Sequence, residues 1–217
     1  AEGISYLAGS DVPCLIVNVQ RGGPGLGGIQ PSQADYFQAT KSTAHGDFHI
    51  LVFAPSTVQE TVDIISTAFD LGDQHRMPAM VLSDGMLGQM MEPVVLPEPK
   101  DPDNDSKGWA ACGHHDKRAH NVVNSLYINP QELEDLVIQR FKRYEEIKEK
   151  HQMAEEYLTD DADIIIVAYG SSSRVSRSAI DAARKQGIKV GMVRPITLWP
   201  FPEKAIGKHA EHAKAFL

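Results

Sequence analysis

Cysteine is scarce in this chain, and long apolar runs are missing. Only two of the 217 residues are cysteines, Cys14 and Cys112, and they lie far apart in the sequence. Such usage favours a reducing compartment over a disulfide-stapled secreted domain, so we expect a cytoplasmic protein. No stretch approaches the roughly 18 apolar residues that would cross a bilayer, which predicts a soluble chain.

Positive charge is also in deficit. Lysine and arginine number 21 against 29 aspartates and glutamates, which gives a formal net charge of −8. Phosphate backbones and anionic lipid surfaces require basic protein surface. We therefore expect neither nucleic acid nor a membrane among the partners.

The two ends lack the usual signals of a chain terminus. The sequence opens with AEGISYLAG, which reads as the middle of a helix without a cap, and it closes on the helix-like AEHAKAFL. This pattern predicts an N-terminally truncated fragment of a larger polypeptide.

Short, continuously apolar runs predict buried strands in the first half. They are Cys14–Val19, His49–Pro55 and Pro78–Gly85. A helix of about four turns lies between the last two, where Ser56 and Gln59 resemble a capping box. Its apolar face is expected to contain Val58, Val62, Ile65 and Phe69. Strand, helix and strand in this order indicate an α/β fold with a mainly parallel sheet.

Composition then divides the chain. Residues 1–98 are predicted to form the first α/β domain, and the proline-rich, charged segment 99–128 to form a linker. A bridging helix is expected over 129–158, with Asn129 as its N-cap and Pro130 at its first position. Residues 159–217 are expected to form a second α/β domain.

The second domain reads as a strand–helix–strand unit. The strands are expected at Ile164–Tyr169 and Lys189–Val193. The helix between them is expected to bury Val175, Ala179 and Ala182 and to end at Gly187.

The stretch IVNVQRGGPGLGG is the strongest candidate for a binding site. Arg21 follows the end of a predicted strand, which is where α/β sheets bind ligands. Its planar guanidinium matches a carboxylate or phosphate, and the glycines after it let a ligand approach the backbone. The alternative is a surface loop whose arginine pairs with an acidic residue. The pattern is neither a Walker A loop nor a dinucleotide fingerprint.

Three other groups each have a plain structural alternative. The serines of GSSS (170–173) suit an anion at a helix start, but serine at an N-cap is common. In CGHHDKRAH, Cys112, His114, His115 and His120 suit zinc, but a solvated loop is the simpler interpretation. The SDG of 83–85 reads as a turn. From these patterns alone we predict no metal site.

Longer segments resemble a known family. EGISYLAGSDVPCLIVNVQRGGPGLGG, PSQADYFQATK, HGDFHILVFAPSTVQE, LSDGMLGQMMEP and NSLYINPQELE are similar, in this order, to the alpha-type, pyrimidine-domain subunit of the 2-oxoacid:ferredoxin oxidoreductases. VAYGSSSRVSRSAIDAARKQGIKVGMVRPITLWPFP resembles the transketolase C-terminal-like domain that follows it. RGGPGLGGIQPSQADYFQATK is most similar to the 2-ketoisovalerate (branched-chain) group, and 2-oxoglutarate is the alternative substrate.

The resemblance implies a fold, a reaction and partners. The fold would be a partial thiamine-diphosphate-enzyme pyrimidine-binding domain followed by the transketolase C-terminal-like domain. The reaction would be oxidative decarboxylation of a 2-oxoacid to acyl-coenzyme A, with ferredoxin as electron acceptor. Thiamine diphosphate with Mg²⁺ would be shared with a diphosphate-binding beta subunit. Iron–sulfur clusters and coenzyme A would be bound elsewhere in a complex that also holds a gamma subunit and a ferredoxin-like subunit.

The resemblance also assigns site residues. Arg21 would bind the substrate carboxylate, and Gly22 and Gly23 would leave room at the cleft between subunits. The family's catalytic glutamate lies upstream of the residues in hand, and Glu2 does not match it. Two cysteines cannot hold a four-cysteine cluster. We therefore expect this chain to be inert alone, and a non-catalytic assembly module is the alternative for the isolated chain.

Overall fold

The computed structural model describes residues 1–41, 44–101 and 107–217. The helices are α1 Glu2–Gly9, α2 Tyr36–Thr40, α3 Val58–His75, α4 Pro130–Lys150, α5 Gly170–Lys185 and α6 Glu203–Gly207, with a 3₁₀ turn at Leu87–Gln89. The strands are β1 Leu15–Gln20, β2 Leu51–Phe53, β3 Ala79–Asp84, β4 Ala154–Tyr157, β5 Ile164–Val167, β6 Val190–Pro195, β7 Thr197–Trp199 and β8 Ala215–Phe216. Within the described ranges, no helix has both the length and the apolar character needed to cross a bilayer.

Two four-stranded sheets organise the chain. The first has the order β1-β3-β2-β7, in which β1 and β2 run parallel to β3 and β7 runs antiparallel to β2. The second has the order β4-β6-β5-β8, with β5 parallel to β6 and β4 antiparallel to it. The predicted α/β fold with a mainly parallel first sheet and a parallel strand–helix–strand unit after it is confirmed.

Strands cross the predicted domain division. Strand β7 lies inside the predicted second domain, 159–217, but it pairs with β2 of the first sheet. Strand β4 precedes residue 159 but pairs with β6 of the second sheet. The division itself stays a prediction, and the strands on either side of it connect the two sheets.

The bridging helix is shorter than predicted. Helix α4 begins after the N-cap Asn129, with Pro130 in its first turn, as predicted, but it ends at Lys150 and β4 follows at 154–157. The segment after the helix pairs instead with the chain after β6, since the amides of Ile196 and Thr197 both donate to the Met153 carbonyl. Tertiary pairing here outweighs the good helix propensity of MAEEYL.

The predicted buried face of α3 is only partly right, because Ile65 packs against the core as expected but Phe69 does not, and the predicted face of α5 is wrong. Helix α3 buries Ile64, Ala68 and Gly72, and Phe69 is 54% exposed. A Cβ at Gly72 would lie 3.2 Å from the Met77 carbonyl oxygen, so this face packs closely. Helix α5 buries Gly170, Ser173 and Ile180, while the predicted core residues Val175, Ala179 and Ala182 are exposed.

The cap of α3 is also displaced by one position. The N-cap is Thr57, whose hydroxyl accepts from the Glu60 amide, and the Glu60 carboxylate accepts in turn from the Ser56 amide. The capping interaction is therefore Thr57 with Glu60, not Ser56 with Gln59.

The predicted linker lies along α3. Its residues 102–106 are outside the described residues. On either side of them, Lys100 pairs with Asp70 at 2.6 Å and Lys107 with Asp73 at 2.7 Å. The Arg76 guanidinium stacks over the Trp109 ring at 4.4 Å. These contacts place Lys100, Lys107 and Trp109 against the second half of the helix, whereas Ser125, near the end of the segment, lies beside Gly9 of α1.

Candidate functional site

The carboxyl ends of β1 and β3 lie side by side and form the edge that carries the candidate site. The two strands are parallel and in register, so that Gln20 is opposite Asp84. Arg21 and Gly85 therefore leave the sheet together, and the Gly85 amide donates to the Gln20 carbonyl. This edge is where a parallel sheet binds ligands, as the sequence predicted for Arg21.

Arg21 is exposed, but its guanidinium also braces its own loop. Nη1 donates to the carbonyls of Leu26 and, at 3.0 Å, of Gly28, and Nη2 donates to the Gly25 carbonyl at 3.4 Å. The alternative in which Arg21 pairs with an acidic residue is not seen in the described part of the chain. Two of its five N–H groups, on Nε and Nη2, have no partner there. A carboxylate bound in bidentate fashion takes two such groups.

Backbone bonds close the glycine-rich loop from 22 to 31. Gly22 donates to the Gln30 carbonyl at 3.1 Å, Gly28 donates to the Gly22 carbonyl at 2.8 Å, and Arg21 forms an isolated bridge with Pro31. Gly27 has φ +51°, and a Cβ there would collide with the Gly22 carbonyl oxygen. Gly27 therefore requires glycine on both counts, and Gly25, with φ +62°, requires it for its backbone conformation.

Gly22 and Gly23 have open space where a side chain would project. A Cβ added at either position would meet nothing closer than 4.0 Å. Neither glycine is required by its own loop, because neither has a positive φ. Their predicted role, to leave room for substrate or cofactor, stays a prediction.

Asp84 shapes the turn after β3, as the SDG pattern predicted. Its Oδ1 accepts from the amides of Met86 at 2.9 Å and Leu87 at 3.0 Å. Its Oδ2 accepts from the Ser171 hydroxyl at the start of α5. Asp84 is 3% exposed, so these hydrogen bonds satisfy a buried carboxylate.

The serines of GSSS serve neither of the roles considered from the sequence. The N-cap of α5 is Tyr169, and no side chain caps the helix. Each serine hydroxyl donates within the protein: Ser171 to Asp84, Ser172 to Gln33 Oε1 at 2.9 Å, and Ser173 to the Gly170 carbonyl at 2.6 Å. These hydroxyls are occupied in tying the helix start to the edge of the first sheet.

Tyr169 and Gln20 place polar atoms inside this edge. The Tyr169 hydroxyl and Gln20 Nε2 are buried and have no hydrogen-bond partner in the described residues. Burial raises the pKa of Tyr169 to about 12, with Tyr36 and the charge of Asp84 contributing. The Gln20 amide lies close enough to oppose this shift without forming a well-aligned bond. Tyr169 therefore stays neutral at physiological pH.

A cavity of about 460 Å³ opens beside the same edge. It is lined mainly by short polar side chains from the segment after the loop and from the first two turns of α5, among them Ser32, Gln33, Asp84, Ser172 and Ser176. Large apolar side chains are exposed on the bordering segments. Leu26 and Ile29 are each 87% exposed, and Val19 at the end of β1 is 51% exposed.

A second, charged cleft of about 680 Å³ lies between α3 and α5. Arg194, which sequence reasoning missed, donates to both Glu60 oxygens and to Glu155, and Arg177 donates to Glu155 as well. Because these arginines pair with Glu60 and Glu155, the described residues that line the cleft offer no free cluster of cations for an anionic ligand. Its arrangement joins α3 to β4 and β6.

The histidine-rich loop brings two rings together. The rings of His114 and His120 lie 3.9 Å apart, centroid to centroid, beside Arg118, and Cys112 is exposed. In the ranges that the structure describes, no group of three or more histidine, cysteine, aspartate or glutamate residues is placed to hold a metal ion.

Comparison with known proteins shows the family. Residues 1–166 match the thiamine diphosphate-binding domain of the pyruvate flavodoxin/ferredoxin oxidoreductases, and residues 162–217 match core domain II of pyruvate:ferredoxin oxidoreductase. The chain is 46% identical over 216 residues to the ketoisovalerate oxidoreductase subunit VorB of Methanothermobacter thermautotrophicus, covering 100% of this chain and 61% of the relative. It is 32% identical over 248 residues to the 2-oxoglutarate synthase subunit KorA of Methanothermobacter marburgensis, covering 100% of this chain and 64% of the relative.

A solved structure has the same fold. The 2-oxoglutarate:ferredoxin oxidoreductase from Magnetococcus marinus, with 2-oxoglutarate, coenzyme A and succinyl-coenzyme A bound, superposes with a TM-score of 0.78 at 24% identity, covering 97% of this chain and 42% of that chain. The present chain spans about three fifths of the length of the curated VorB relatives. The predicted family is confirmed, and so is its thiamine diphosphate-binding α/β fold. The chain belongs to the pyruvate flavodoxin/ferredoxin oxidoreductase family, and most of it is that family's thiamine diphosphate-binding domain.

Proposed function

We propose that this chain is part of the alpha-type subunit of a 2-oxoacid:ferredoxin oxidoreductase. The complete enzyme would oxidatively decarboxylate a branched-chain 2-oxoacid such as 2-ketoisovalerate, form the acyl-coenzyme A and pass the electrons to ferredoxin. The observation that carries the proposal is Arg21, which lies at the carboxyl edge of a parallel sheet with two N–H groups unpaired in the described residues. These groups suit the carboxylate of a 2-oxoacid.

The role proposed for Arg21 is orientation. A 2-oxoacid loses its carboxylate as neutral carbon dioxide, so an interaction that stabilised the bound carboxylate too strongly would oppose the reaction. Three loop carbonyls already share the guanidinium, which moderates its positive charge and fixes its plane. A guanidinium held in this way positions the acid without gripping it tightly.

The loop around Arg21 favours an aliphatic 2-oxoacid over 2-oxoglutarate. Residues 22–34 contain no lysine, arginine or histidine that would bind a second carboxylate. Leu26 and Ile29 present apolar side chains from the same loop. The higher identity to VorB than to KorA, 46% against 32%, supports the same choice. Turnover of both acids by the purified complex separates the two, and a clear preference for the dicarboxylate would overturn the assignment.

The described residues fit one end of the reaction centre. They supply a cation for the substrate and open space at Gly22 and Gly23, but they hold no cluster of carboxylates for Mg²⁺. When bound, thiamine diphosphate supplies the carbanion chemistry that decarboxylation needs. We place its diphosphate and Mg²⁺ on a partner beta subunit, and the iron–sulfur clusters and coenzyme A on other parts of the complex.

The exposed apolar side chains support a partner at this edge. Leu26, Ile29 and Val19 border the site and face solvent, a pattern typical of a surface that another protein covers. We propose that the diphosphate-binding subunit docks here, in a complex that also contains gamma and ferredoxin-like subunits.

Replacement of Arg21 tests the proposed function. In the assembled oxidoreductase, Arg21→Ala should raise the KM for the 2-oxoacid at least about tenfold, because a charge-assisted hydrogen bond of roughly 1.5–3 kcal/mol is lost. Reduction of ferredoxin or of a dye measures the rate. Arg118→Ala is the matched control, since Arg118 also donates to three carbonyls of its own loop. An unchanged KM in Arg21→Ala would remove this residue from the substrate site.

A further inference from the structure

We propose that Gln33 is a positioning residue for Arg21, through a set of hydrogen bonds that we call the edge latch. The edge latch consists of Gln33, Asp84, Tyr169, Ser171 and Ser172. It ties the loop of Arg21 to the start of α5, so that the second sheet's helix sets the position of the arginine. The proposal rests on the function proposed above and adds a residue outside the substrate contact.

Gln33 makes two hydrogen bonds across the edge. Its Nε2 donates to the Tyr169 carbonyl at 2.9 Å, and its Oε1 accepts from the Ser172 hydroxyl at 2.9 Å. Both ends of the side-chain amide are therefore used, which fixes its orientation. Next to it, the Ser171 hydroxyl donates to Asp84 at the end of β3.

The helix start approaches this edge closely. Gly170 has φ +56°, and a Cβ there would lie 3.1 Å from Gln33 Nε2 and 3.7 Å from Asp84 Oδ2. A side chain at this position would press on the latch from the side of the helix. Glycine is therefore the residue that permits both the backbone conformation and the short distance.

The latch is linked to Arg21 by a short path along the chain. Arg21 pairs with Pro31 in a backbone bridge, and Gly22 donates to the Gln30 carbonyl. Gln33 follows Pro31 by two residues, so a shift of Gln33 moves the backbone segment with which Arg21 and Gly22 pair. The glycines between Arg21 and Pro31 have no side chains whose packing would resist such a shift.

The aim of the Arg21 guanidinium depends on how firmly the base of its loop is held. The guanidinium is aimed by carbonyls of residues 25–28, and these residues are held through the base of the loop at 21 and 31. Loss of the anchor at Gln33 would leave Arg21 present but imprecisely aimed. Small errors in the position of a substrate-binding group reduce its effect considerably.

The test uses the complete oxidoreductase assembled with variants of this chain. Gln33→Ala removes both bonds and should raise the KM for the 2-oxoacid about fivefold, with kcat nearly unchanged, as expected when two neutral hydrogen bonds are lost. Ser176→Ala is the control, because Ser176 lines the same cavity and its hydroxyl makes no hydrogen bond in the described residues. It should leave KM unchanged.

The double variant separates positioning from a general structural effect. If Gln33 acts through Arg21, adding Gln33→Ala to Arg21→Ala should raise KM less than about twofold further, since the residue to be positioned is gone. Independent effects would multiply instead, and that outcome would overturn the proposal. A normal KM in Gln33→Ala, with a raised KM in Arg21→Ala, would overturn the latch alone.

A less disruptive substitution tests the latch if the Gln33→Ala chain does not assemble into the oxidoreductase. Ser172→Ala removes one hydrogen bond from an exposed hydroxyl and should raise KM about twofold, while Ser172→Thr keeps the hydroxyl and should restore the original value. No difference between these two variants would count against the latch. If Arg21→Ala leaves KM unchanged, the assignment of Arg21 fails and the role of Gln33 fails with it.

Discussion

Arg194 is the side chain on which the charged cleft depends. It is 5% exposed, and it donates to Glu60 Oε1 at 2.8 Å, to Glu60 Oε2 at 2.9 Å and to Glu155 at 2.8 Å. Burial acts to lower the pKa of Arg194, but the hydrogen bonds and charges of Glu60 and Glu155 outweigh it and leave the pKa raised. The guanidinium thus stays charged and joins α3, β4 and β6.

We expect Arg194→Met to lower the free energy of unfolding by about 3 kcal/mol. The substitution keeps an apolar stem of similar length, but it leaves Glu60 without its cationic partner and Glu155 with Arg177 alone, and breaking a buried pair costs about 3–5 kcal/mol. The lower end applies because the Glu155 side chain is 37% exposed. Urea unfolding measures the change.

An exposed ion pair supplies the comparison for that experiment. Lys204 pairs with Glu149, and the two side chains are 60% and 70% exposed. Lys204→Met should change the unfolding free energy by less than about 1 kcal/mol. Equal losses of unfolding free energy in Arg194→Met and Lys204→Met would show that the buried position of Arg194 makes its ion pairs no more stabilising than an exposed pair.

Residues that act locally were predictable, and residues that act at a distance were not. Arg21 follows a strand in the sequence, so its place at the sheet edge could be predicted from the run before it. The bonds that Ser172 donates to Gln33 and Ser171 donates to Asp84 join residues 139 and 87 positions apart. No local pattern marks such pairs, because their partners meet only when the two sheets come together.

At the scale of elements, the existence of a helix was easier to predict than its orientation. Both α3 and α5 form, but α5 buries none of the residues expected, and α3 buries Ile64 and Ala68, each one position before an expected residue. A shift of one residue turns a helix face by about 100°. The buried positions include Ala68, Gly72 and Ser173, which a hydrophobic pattern overlooks, although small residues are what close packing requires.

The ends of α3 and α4 meet at a pair of histidines. His75 closes α3, His151 caps α4, and their Nε2 atoms lie 2.9 Å apart. A helix C-terminus favours a cationic histidine. Burial nevertheless lowers the pKa of His75, with the charges of His151 and Arg143 contributing, and burial followed by the charge of Lys150 lowers the pKa of His151.

This pair predicts a loss of stability in acid. Unfolded histidine binds a proton near pH 6.5, and the folded pair binds it only at lower pH. Below about pH 6.5 the unfolded state therefore holds more protons, and stability falls as the pH falls through this window. We expect the urea midpoint to be lower at pH 5.5 than at pH 7.5.

Substitution assigns that effect to the pair. His151→Gln should make the difference in urea midpoint between the two pH values smaller, because one desolvated imidazole is gone and His75 loses its neighbour. His45→Gln, in the loop before β2, should leave the difference as it is. A pH dependence that is equally steep in His151→Gln would contradict the prediction.

At the scale of the whole molecule, several contacts connect the two sheets. Strand β7 pairs with β2, Arg194 bridges α3 to the second sheet, and the edge latch holds the start of α5 against the first. These contacts involve the elements around the carboxyl edge, because α3 precedes β3, β2 pairs with β3, and α5 begins beside Asp84 at the end of β3. Leu26 and Ile29 are exposed at that edge, where we propose that a partner subunit docks.

This arrangement predicts that the cofactor needs two chains. Calorimetry should detect no binding of thiamine diphosphate with Mg²⁺ to this chain alone with a Kd below about 1 mM, because the described residues supply no carboxylate cluster for the metal. Adding the diphosphate-binding subunit should produce binding. Arg21→Ala should bind the cofactor as the original chain does, since Arg21 is assigned to the substrate.

That titration, combined with assays of turnover, separates the competing functions. Tight binding by the chain alone would contradict the placement of the diphosphate on a partner. Binding by the complex without turnover of any 2-oxoacid would favour a non-catalytic assembly module. Cofactor binding by the complex that is unchanged in Arg21→Ala would assign thiamine diphosphate to the shared cleft. A KM for the 2-oxoacid that rises in the same variant would assign the substrate carboxylate to this chain, because only substrate binding would then depend on the charge at residue 21.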